Sequence, residues 1–246
     1  MTEHRVAIIQ SSYIPWKGYF DIIHSVDTFI FYDDVQFTRQ DWRTRNRIKT
    51  ANGLVWLSIP AGSHIDRLIC EVELSSSAWQ KKHWASISQS YAKAPYFKSY
   101  RELFEHIYLG QQWTSLSALN QHLIKSISQE VLGLTTEFRD SREYHTEGSR
   151  QDRLLSLLVA AGATSYLSGP SASRYIDPAA FAEKSIGLAY QDYSSYPVYP
   201  QLYPPFEHYV SVLDLIFNTG PNAADYIWGC RDDVECGDGA SSKGHA

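Results

Sequence analysis

A loop of aromatic and hydrogen-bonding residues follows the first apolar segment, and its residue types suit ligand binding. The run VAIIQ ends at Gln10, and SSYIPWKGYF follows at once. A plain turn needs Gly, Pro, Asn or Asp rather than aromatic side chains with polar tips around a lysine. The loop is therefore either a lid on the core or one wall of a pocket. Its candidate ligand-binding residues are Gln10, Tyr13, Trp16, Lys17 and Tyr19.

Two adjacent carboxylates stand at the end of the second predicted strand. Asp33 and Asp34 close the run TFIFYDDV, and Gln36 follows as a further candidate ligand-binding residue. The carboxyl ends of parallel strands meet at one edge of a sheet, so these residues are expected near Gln10. Paired carboxylates can hold Mg²⁺, accept an amine or act as a general base. The structural alternative is that one of them caps a turn. Because neighbouring strand residues point to opposite faces, only one of the pair can face a pocket.

A basic segment with a tryptophan inside it comes next. RQDWRTRNRIK carries five cations, from Arg39 to Lys49, against one aspartate. Arginine forks match the oxygens of phosphate and carboxylate groups. A solvated surface run and a lined pocket both fit this pattern, the second because Trp42 stands inside the run. The candidate ligand-binding residues are Trp42, Arg43, Arg45, Asn46 and Lys49.

A third loop combines small residues with hydroxyl groups. The run SYLSGPSASRYID leaves a predicted strand and enters a serine- and glycine-rich turn. Such a turn can direct backbone N–H groups at an anion. The chain has neither the G-x-x-x-x-G-K-[ST] phosphate loop nor the G-x-S-x-G nucleophile motif. A structural turn and a ligand loop both remain open. The candidate ligand-binding residues are Ser168, Gly169, Ser171 and Tyr175.

The elements that must position these loops alternate between strands and helices. Predicted strands cover 5–10, 28–35, 53–60, 69–74, 135–141, 164–169 and 187–194. Predicted helices cover 20–26, 79–91, 96–108, 116–131, 150–162 and 210–220. The order strand, helix, strand predicts parallel pairs with right-handed crossovers. We therefore expect one α/β domain over 1–228, with a mostly parallel sheet and a helical block inserted at about 79–132. The polar, glycine-rich stretch 229–246 is predicted to be a disordered tail.

Composition excludes several classes of protein. With 22 basic and 27 acidic residues the net charge is −5, which argues against general nucleic-acid binding. The three cysteines, Cys70, Cys230 and Cys236, form no disulfide framework, and no Cys/His spacing predicts a metal site. No apolar run approaches the ~18 residues of a membrane span. We therefore expect a protein of the cytoplasm. The 17 Tyr, 7 Trp and 10 Phe suit pockets, although any single Tyr fits the rim of a core equally well.

Seven landmarks, in this order, resemble those of the WbqC-like family of bacteria. They are QSSYIPWKGYFDII, FYDDVQF, WRTRNRIK, WLSIP, YAKAPYF, YLSGPSASRYI and SVLDLIFNTG. The resemblance runs from about residue 5 to about residue 228, with Ser11 where the family usually has Pro. It implies a role in the biosynthesis of O-antigen or another surface polysaccharide. The activity it implies is the attachment of glycine or a similar acyl group to an amino sugar.

The first loop is also similar in layout to the P-x-H-x-G-H loop of nucleotidylyltransferases and pantothenate synthetases. That likeness implies an α/β fold of the HUP or Rossmann-like type. Trp16 and Tyr19 stand at the two histidine places, so the cations that such enzymes place on ATP phosphates are missing from the loop. Lys17 or the basic segment are the candidate substitutes.

The leading hypothesis is a transferase that moves an acyl or aminoacyl (glycyl) group to the amine of a nucleotide-linked or lipid-linked amino sugar. Asp33 or Asp34 would be the base, the basic segment would bind phosphates, and the serine-rich turn would hold the second ligand. ATP and Mg²⁺ are needed if the acyl group is activated in place, but not if it arrives as a thioester or on a charged tRNA. The alternatives are a non-catalytic sugar-nucleotide-binding protein that assists a partner enzyme, and an ATP-dependent nucleotidylyltransferase-like enzyme.

Overall fold

The computed structural model describes residues 3–148 and 150–229, and a parallel sheet lies at its centre. The strands are β1 (Arg5–Ile9), β2 (Thr28–Phe31), β3 (Arg45–Thr50), β4 (Gly53–Ser58), β5 (Glu137–Asp140), β6 (Ser165–Ser168) and β7 (Gly187–Tyr190). Five strands form the parallel sheet in the order β5-β2-β1-β6-β7, and β3 pairs with β4 in an antiparallel hairpin. Numbered along the chain, the five read 3-2-1-4-5, the order of doubly wound sheets. The predicted α/β fold with a mostly parallel sheet is confirmed, and its HUP assignment stays a prediction.

Helices flank this sheet. Among the described residues the α-helices are α1 (Lys17–His24), α2 (Ala78–Tyr91), α3 (Phe97–Glu105), α4 (Leu116–Ser126), α5 (Arg150–Ala160), α6 (Pro178–Glu183) and α7 (Val212–Thr219). Helices α2, α3 and α4 lie between the hairpin and β5, where the sequence predicts a helical block. Of the predicted tail only Gly229 is described, so Cys230, Cys236 and the rest of that stretch lie outside the described residues.

Two elements near the hairpin differ from the prediction. The strand predicted at 69–74 is wrong, because Ile69–Glu71 forms a single 3₁₀ turn. The extended residues beside it make isolated bridges, such as Glu73 with Ser115, and have no strand to pair with along their length. No strand or helix is predicted for the basic segment, yet its second half forms β3 because it pairs with all of β4.

Both faces of the sheet are buried. In β1, Ala7 joins the core that includes residues of α2, α3, α4 and α7, whereas Val6 and Ile8 pack with residues of α5 and α6. Neighbouring strand residues point to opposite faces, so a continuous apolar run marks a strand that is covered on both sides. With the faces covered, the loops at the carboxyl ends of the strands are where a ligand crevice can form.

The loop after β1 is anchored in the core. Tyr13 is fully buried, and its hydroxyl hydrogen-bonds with His83 Nδ1 (2.8 Å) and Tyr108 Oη (2.5 Å). Ile14 has a φ of +36°, in a left-handed region that costs an ordinary residue about 1–2 kcal/mol. Asn46 Nδ2 holds this turn by donating to the carbonyls of Tyr13 (3.3 Å) and Ile14 (2.8 Å). These contacts fix the loop to the core, which it covers at Tyr13 and Ile14.

Because the His83 imidazole at this anchor is buried, we expect the protein to lose stability in acid. Burial lowers the pKa of His83 from 6.5 to about 4, and a hydrogen bond with the Ser58 backbone opposes this only in part. The unfolded state binds the proton at a higher pH than the folded state does. With respect to this group, the folded state therefore has its full stability above pH 6.5 and loses stability as the pH falls towards 4. The difference amounts to about 3 kcal/mol. His83→Gln should reduce the loss of unfolding free energy between these two pH values by that amount in urea titrations. An unchanged pH dependence in this variant would contradict the assignment.

Candidate functional site

A large cleft lies at the carboxyl ends of β1 and β6. The strand order reverses between these two neighbours, and such a switch point is where doubly wound sheets bind ligands. The cleft has a volume of about 980 Å³, within the range of small-molecule sites. Its lining has aromatic, hydroxyl and amide side chains with one arginine. These residues are Gln10, Trp16, Tyr19, Tyr32, Trp42, Arg150, Gln151, Tyr166, Ser168, Ser171, Tyr175 and Tyr193.

Aromatic rings form one wall of this cleft. The Trp16 indole meets the Tyr193 ring edge-on, with 5.0 Å between ring centroids. The Tyr19 hydroxyl donates to the Gln10 carbonyl at 3.0 Å. Burial raises the pKa values of both Tyr19 and Tyr193 well above the ordinary tyrosine value. Both phenols therefore stay neutral at physiological pH and serve as hydrogen-bond donors.

An arginine fixes the orientation of the Gln10 amide. Arg43 Nη2 donates to Gln10 Oε1 at 2.5 Å. Arginine has donors only, so the amide oxygen must face it and the two N–H groups of Nε2 must point away. Asp41 holds this arginine in turn, since its carboxylate lies 3.7 Å from Arg43 Nη1 and accepts from the Arg43 backbone N–H at 3.0 Å. Gln10 thus presents a pre-oriented donor in the cleft lining.

A second, smaller cavity adjoins the first. It has a volume of about 320 Å³ and shares Trp16, Tyr19 and Trp42 with the larger cleft. Arg47 and Tyr209 complete its outer side. The two cavities therefore meet at three aromatic side chains and can hold two ligands side by side.

The basic segment is divided among several locations in the structure. Arg43 contacts Gln10, Arg47 lines the smaller cavity, and Arg45 stacks on Trp56 at 4.4 Å. Lys49 is buried away from both cavities, and its Nζ donates to Gln201 Oε1 (2.6 Å) and to a backbone carbonyl. Arg45, Arg47 and Lys49 share one face of β3, and they are divided because they lie at different points along the strand, against Trp56, Tyr209 and Gln201 respectively.

The two aspartates are placed outside the lining of both cavities. Asp33 is fully buried and accepts from the Ser11 N–H (2.8 Å), the Ser117 hydroxyl and Gln121 Nε2 (3.2 Å). Asp34 forms an ion pair with Arg153 and accepts from the Ser141 hydroxyl. These contacts tie the end of β2 to the neighbouring elements.

Other expected residues also divide between the cleft and the core. Tyr13 belongs to the core, and Gln36 is exposed on a bridge to Leu68. Lys17 is buried, and its Nζ donates to two backbone carbonyls beside the rings of Tyr196 and Tyr199. Asn46 lines the smaller cavity only. The expected residues that do line the large cleft are Gln10, Trp16, Tyr19, Trp42, Ser168, Gly169, Ser171 and Tyr175.

Sequence reasoning missed part of the lining. Tyr193 follows β7 and Tyr32 follows β2, so the rule about strand ends could have found both. Arg150 and Gln151 come from the first turn of α5. Their sequence carries no signal that distinguishes them from an ordinary solvated helix start.

Trp16 lies over the start of α1, where doubly wound folds often bind phosphate. A Cβ at Gly18 would lie 2.4 Å from Trp16 Cζ2, so the indole rests directly on the glycine. This position is thus filled by a ring, which disfavours the nucleotidylyltransferase-like alternative.

Gly18→Ala is therefore expected to displace Trp16 and to destabilise the fold by about 1–3 kcal/mol, as overpacking does. Tyr193, Tyr196 and Tyr209 surround the indole and prevent an easy shift. Gly169→Ala is the matched control, since its added Cβ would meet its nearest neighbour, Tyr193 Oη, at 3.9 Å. Urea unfolding measures both variants, and equal stabilities would contradict the contact.

Comparison with known proteins confirms the family that the seven landmarks resemble. The sequence model of the WbqC-like protein family matches residues 10–226. The chain belongs to the WbqC-like family. It is similar to the uncharacterized protein Rv1507c of Mycobacterium tuberculosis (strain ATCC 25618 / H37Rv), with 44% identity over 229 residues that cover 92% of this chain and 99% of the relative. No solved structure matches the chain significantly.

The family match includes nearly the whole site. Of the cleft lining, only Ile8 and Ile9 precede the matched range 10–226. Within the described residues, no three His, Cys, Asp or Glu side chains are grouped so that they could hold a metal ion. None of the described helices is long and apolar enough to cross a bilayer.

Proposed function

We propose that this WbqC-like protein transfers an acyl or aminoacyl group, such as glycyl, to the amine of a nucleotide-linked or lipid-linked amino sugar. The adjoining cavities that share Trp16, Tyr19 and Trp42 carry the proposal. Group transfer between two ligands requires their reacting atoms to meet in one fixed geometry. The larger cleft would take the sugar carrier and the smaller cavity the acyl group. The reaction would take place in the cytoplasm, and its product would be used to build a surface polysaccharide.

The side chains of the large cleft suit a sugar carrier. Flat rings stack on a sugar or a nucleotide base, and aromatic stacking of a base contributes about 1–3 kcal/mol. The Arg150 and Arg47 guanidinium groups, in the larger and smaller cavities respectively, match phosphate oxygens. The hydroxyls of Ser168 and Ser171 add donors and acceptors for a sugar.

The reaction would be an ordinary acyl transfer. The amine nitrogen attacks the acyl carbonyl carbon, and the carbonyl π electrons move to oxygen. When the C=O bond re-forms, the bond to the leaving group breaks and that group keeps the electron pair. The amine proton passes to solvent. Gln10 Nε2 is the donor that Arg43 orients, and in this proposal it stabilises the oxyanion of the tetrahedral adduct.

The described lining of both cavities holds no carboxylate and no imidazole. Asp33 and Asp34 are occupied elsewhere, so the proposal uses neither as a base. An amine whose pKa is close to the α-amino value of about 7.7–8.0 is partly neutral at physiological pH, so it can attack without a catalytic base. The same lining offers no anionic ligand to Mg²⁺, so activation by ATP in place does not fit. The donor would therefore arrive already activated, as a thioester or on tRNA.

A non-catalytic sugar-nucleotide-binding protein is the second candidate. The observation that favours it is the same lining, which lacks the usual groups for general acid–base catalysis among the described residues. Such a protein would use the large cleft to present the sugar to a partner enzyme.

Mass spectrometry of a two-substrate assay tests the proposal. Purified protein is incubated with nucleotide-linked amino sugars and with glycyl or acetyl thioesters, and amide formation is expected. Gly169→Leu should abolish the product without loss of stability, because its side chain enters the cleft while φ of −68° suits any residue. Binding of the sugar carrier without product from any donor would favour the second candidate. Absence of both binding and product would overturn the two together.

A further inference from the structure

We propose that the β3–β4 hairpin docks this protein on an anionic lipid bilayer. The docking surface, called here the hairpin patch, consists of Leu54, Val55, Trp56, Arg45 and Arg47. Its three apolar side chains are consecutive and 38%, 41% and 44% exposed, respectively. Three exposed apolar residues in a row are unusual in a strand that must only cover a core.

The hairpin register shows why these side chains are uncovered. Trp56 pairs with Arg47 and Leu54 pairs with Lys49, so the tryptophan, the leucine and the arginines share one face. Val55 points to the other face and is also exposed. The outer edge of β4 has no strand partner among the described residues. An unprotected apolar edge of this kind indicates a partner.

The charge of this region identifies the partner as anionic. Residues 42–65 contain four Arg or Lys and no Asp or Glu, in a chain of net charge −5. The guanidinium carbons of Arg45 and Arg47 lie 4.4 Å and 5.5 Å from the centroid of the Trp56 ring. Neither arginine pairs with a carboxylate in the described part of the chain. Arg47 Nη2 also donates to the Tyr209 carbonyl at 2.8 Å, a contact with a neutral group that leaves its charge in place for an external anion.

The combination of side chains favours a bilayer over other anions. Trp and Arg suit the headgroup level, and Leu and Val suit the acyl boundary beneath it. A single-stranded nucleic acid would stack on Trp56 but would leave Leu54 and Val55 without partners. Trp42, which is 48% exposed and 5.8 Å from Trp56, lines both cavities. Docking by the hairpin patch would therefore bring the mouth of the site close to the lipid surface.

Vesicle co-sedimentation of the full chain tests this inference. Phosphatidylcholine vesicles with phosphatidylglycerol should retain the protein at low salt, and pure phosphatidylcholine should retain at least fivefold less. Each basic residue near such a surface contributes about fivefold in affinity, so Arg45→Gln should weaken binding by that factor. Leu54→Asp should weaken it at least fivefold. Val159→Asp is the matched control, because this exposed residue lies on α5 outside the patch and receives the same charge.

Several results would overturn the docking surface. Equal retention by both vesicle types would do so, and so would equal losses in Leu54→Asp and Val159→Asp. Retention by polyuridylic acid instead of vesicles would assign the patch to nucleic acid. If the protein self-associates but binds no vesicles, and Leu54→Asp abolishes the self-association, the hairpin patch would be assigned to a second copy of this chain. Thermal melts confirm that each variant is folded. The transferase assay contains no vesicles, so failure here leaves the transferase proposal intact.

Discussion

Gln10→Ala is expected to lower the rate constant of acyl transfer about 100- to 1,000-fold, the usual effect of removing one oxyanion donor. Gln10 follows β1 at the switch point and is only partly buried, so its truncation should leave the fold intact. The affinity for the sugar carrier should change by a few-fold at most, since the aromatic wall remains. Single-turnover kinetics separates the chemical step from binding.

Gln36→Ala is the matched control for this experiment. Gln36 is also a glutamine that follows a strand at the same end of the sheet, but it is exposed and lines neither cavity. Its variant should transfer at the wild-type rate. A Gln10→Ala variant with an unchanged rate would remove the oxyanion role, and the acyl carbonyl would then need another donor.

Arg43 is a positioning residue in this account, because it acts through the Gln10 amide. Arg43→Lys keeps the charge but loses the planar fork, and a free Gln10 amide can then rotate. The rate constant should fall while the Michaelis constant stays nearly unchanged. Combining Arg43→Lys with Gln10→Ala should cost little more than Gln10→Ala alone, since both remove the same donor. Additive losses would show that the arginine acts independently.

The sequence predicts the framework of the site better than its individual contacts. Apolar runs and strand–helix alternation identify the parallel sheet, and the strand-end rule places Gln10 and Ser168 where the large cleft forms. The same rule fails for Asp33, because position at a strand end does not reveal which face a side chain takes. The strand that was missed, β3, reads as a polar run, and its Arg47 and Lys49 side chains bond to the distant loop 201–209, which local sequence does not reveal.

Aromatic residues show the same limit. Tyr13 and Tyr19 are six residues apart and are both buried, yet one hydrogen-bonds in the core and the other lines the cleft. What separates them is the left-handed turn at Ile14, which depends on Asn46 in a strand more than thirty residues away. Local sequence cannot encode that contact. Lys17 resembles a phosphate ligand in the sequence but ends among carbonyls from residues 197 and 226.

Asp33→Ala is expected to destabilise the protein by about 3 kcal/mol, because a buried N–H and two polar side chains lose their acceptor. In a chain of this size that corresponds to a melting temperature lower by about 6–12 °C. Asp66→Ala is the matched control, since that aspartate is exposed, and its melting temperature should be unchanged.

Asp33→Asn separates this structural role from the catalytic role that the sequence suggests. The amide keeps the shape and can still accept from the Ser11 N–H, but it places N–H donors against Gln121 Nε2. The expected result is a melting temperature that falls by several degrees, with acyl transfer retained below it. A catalytic base would behave in the opposite way, with native stability and no transfer. Because Asp33 accepts three hydrogen bonds and lines neither cavity, we expect the first outcome.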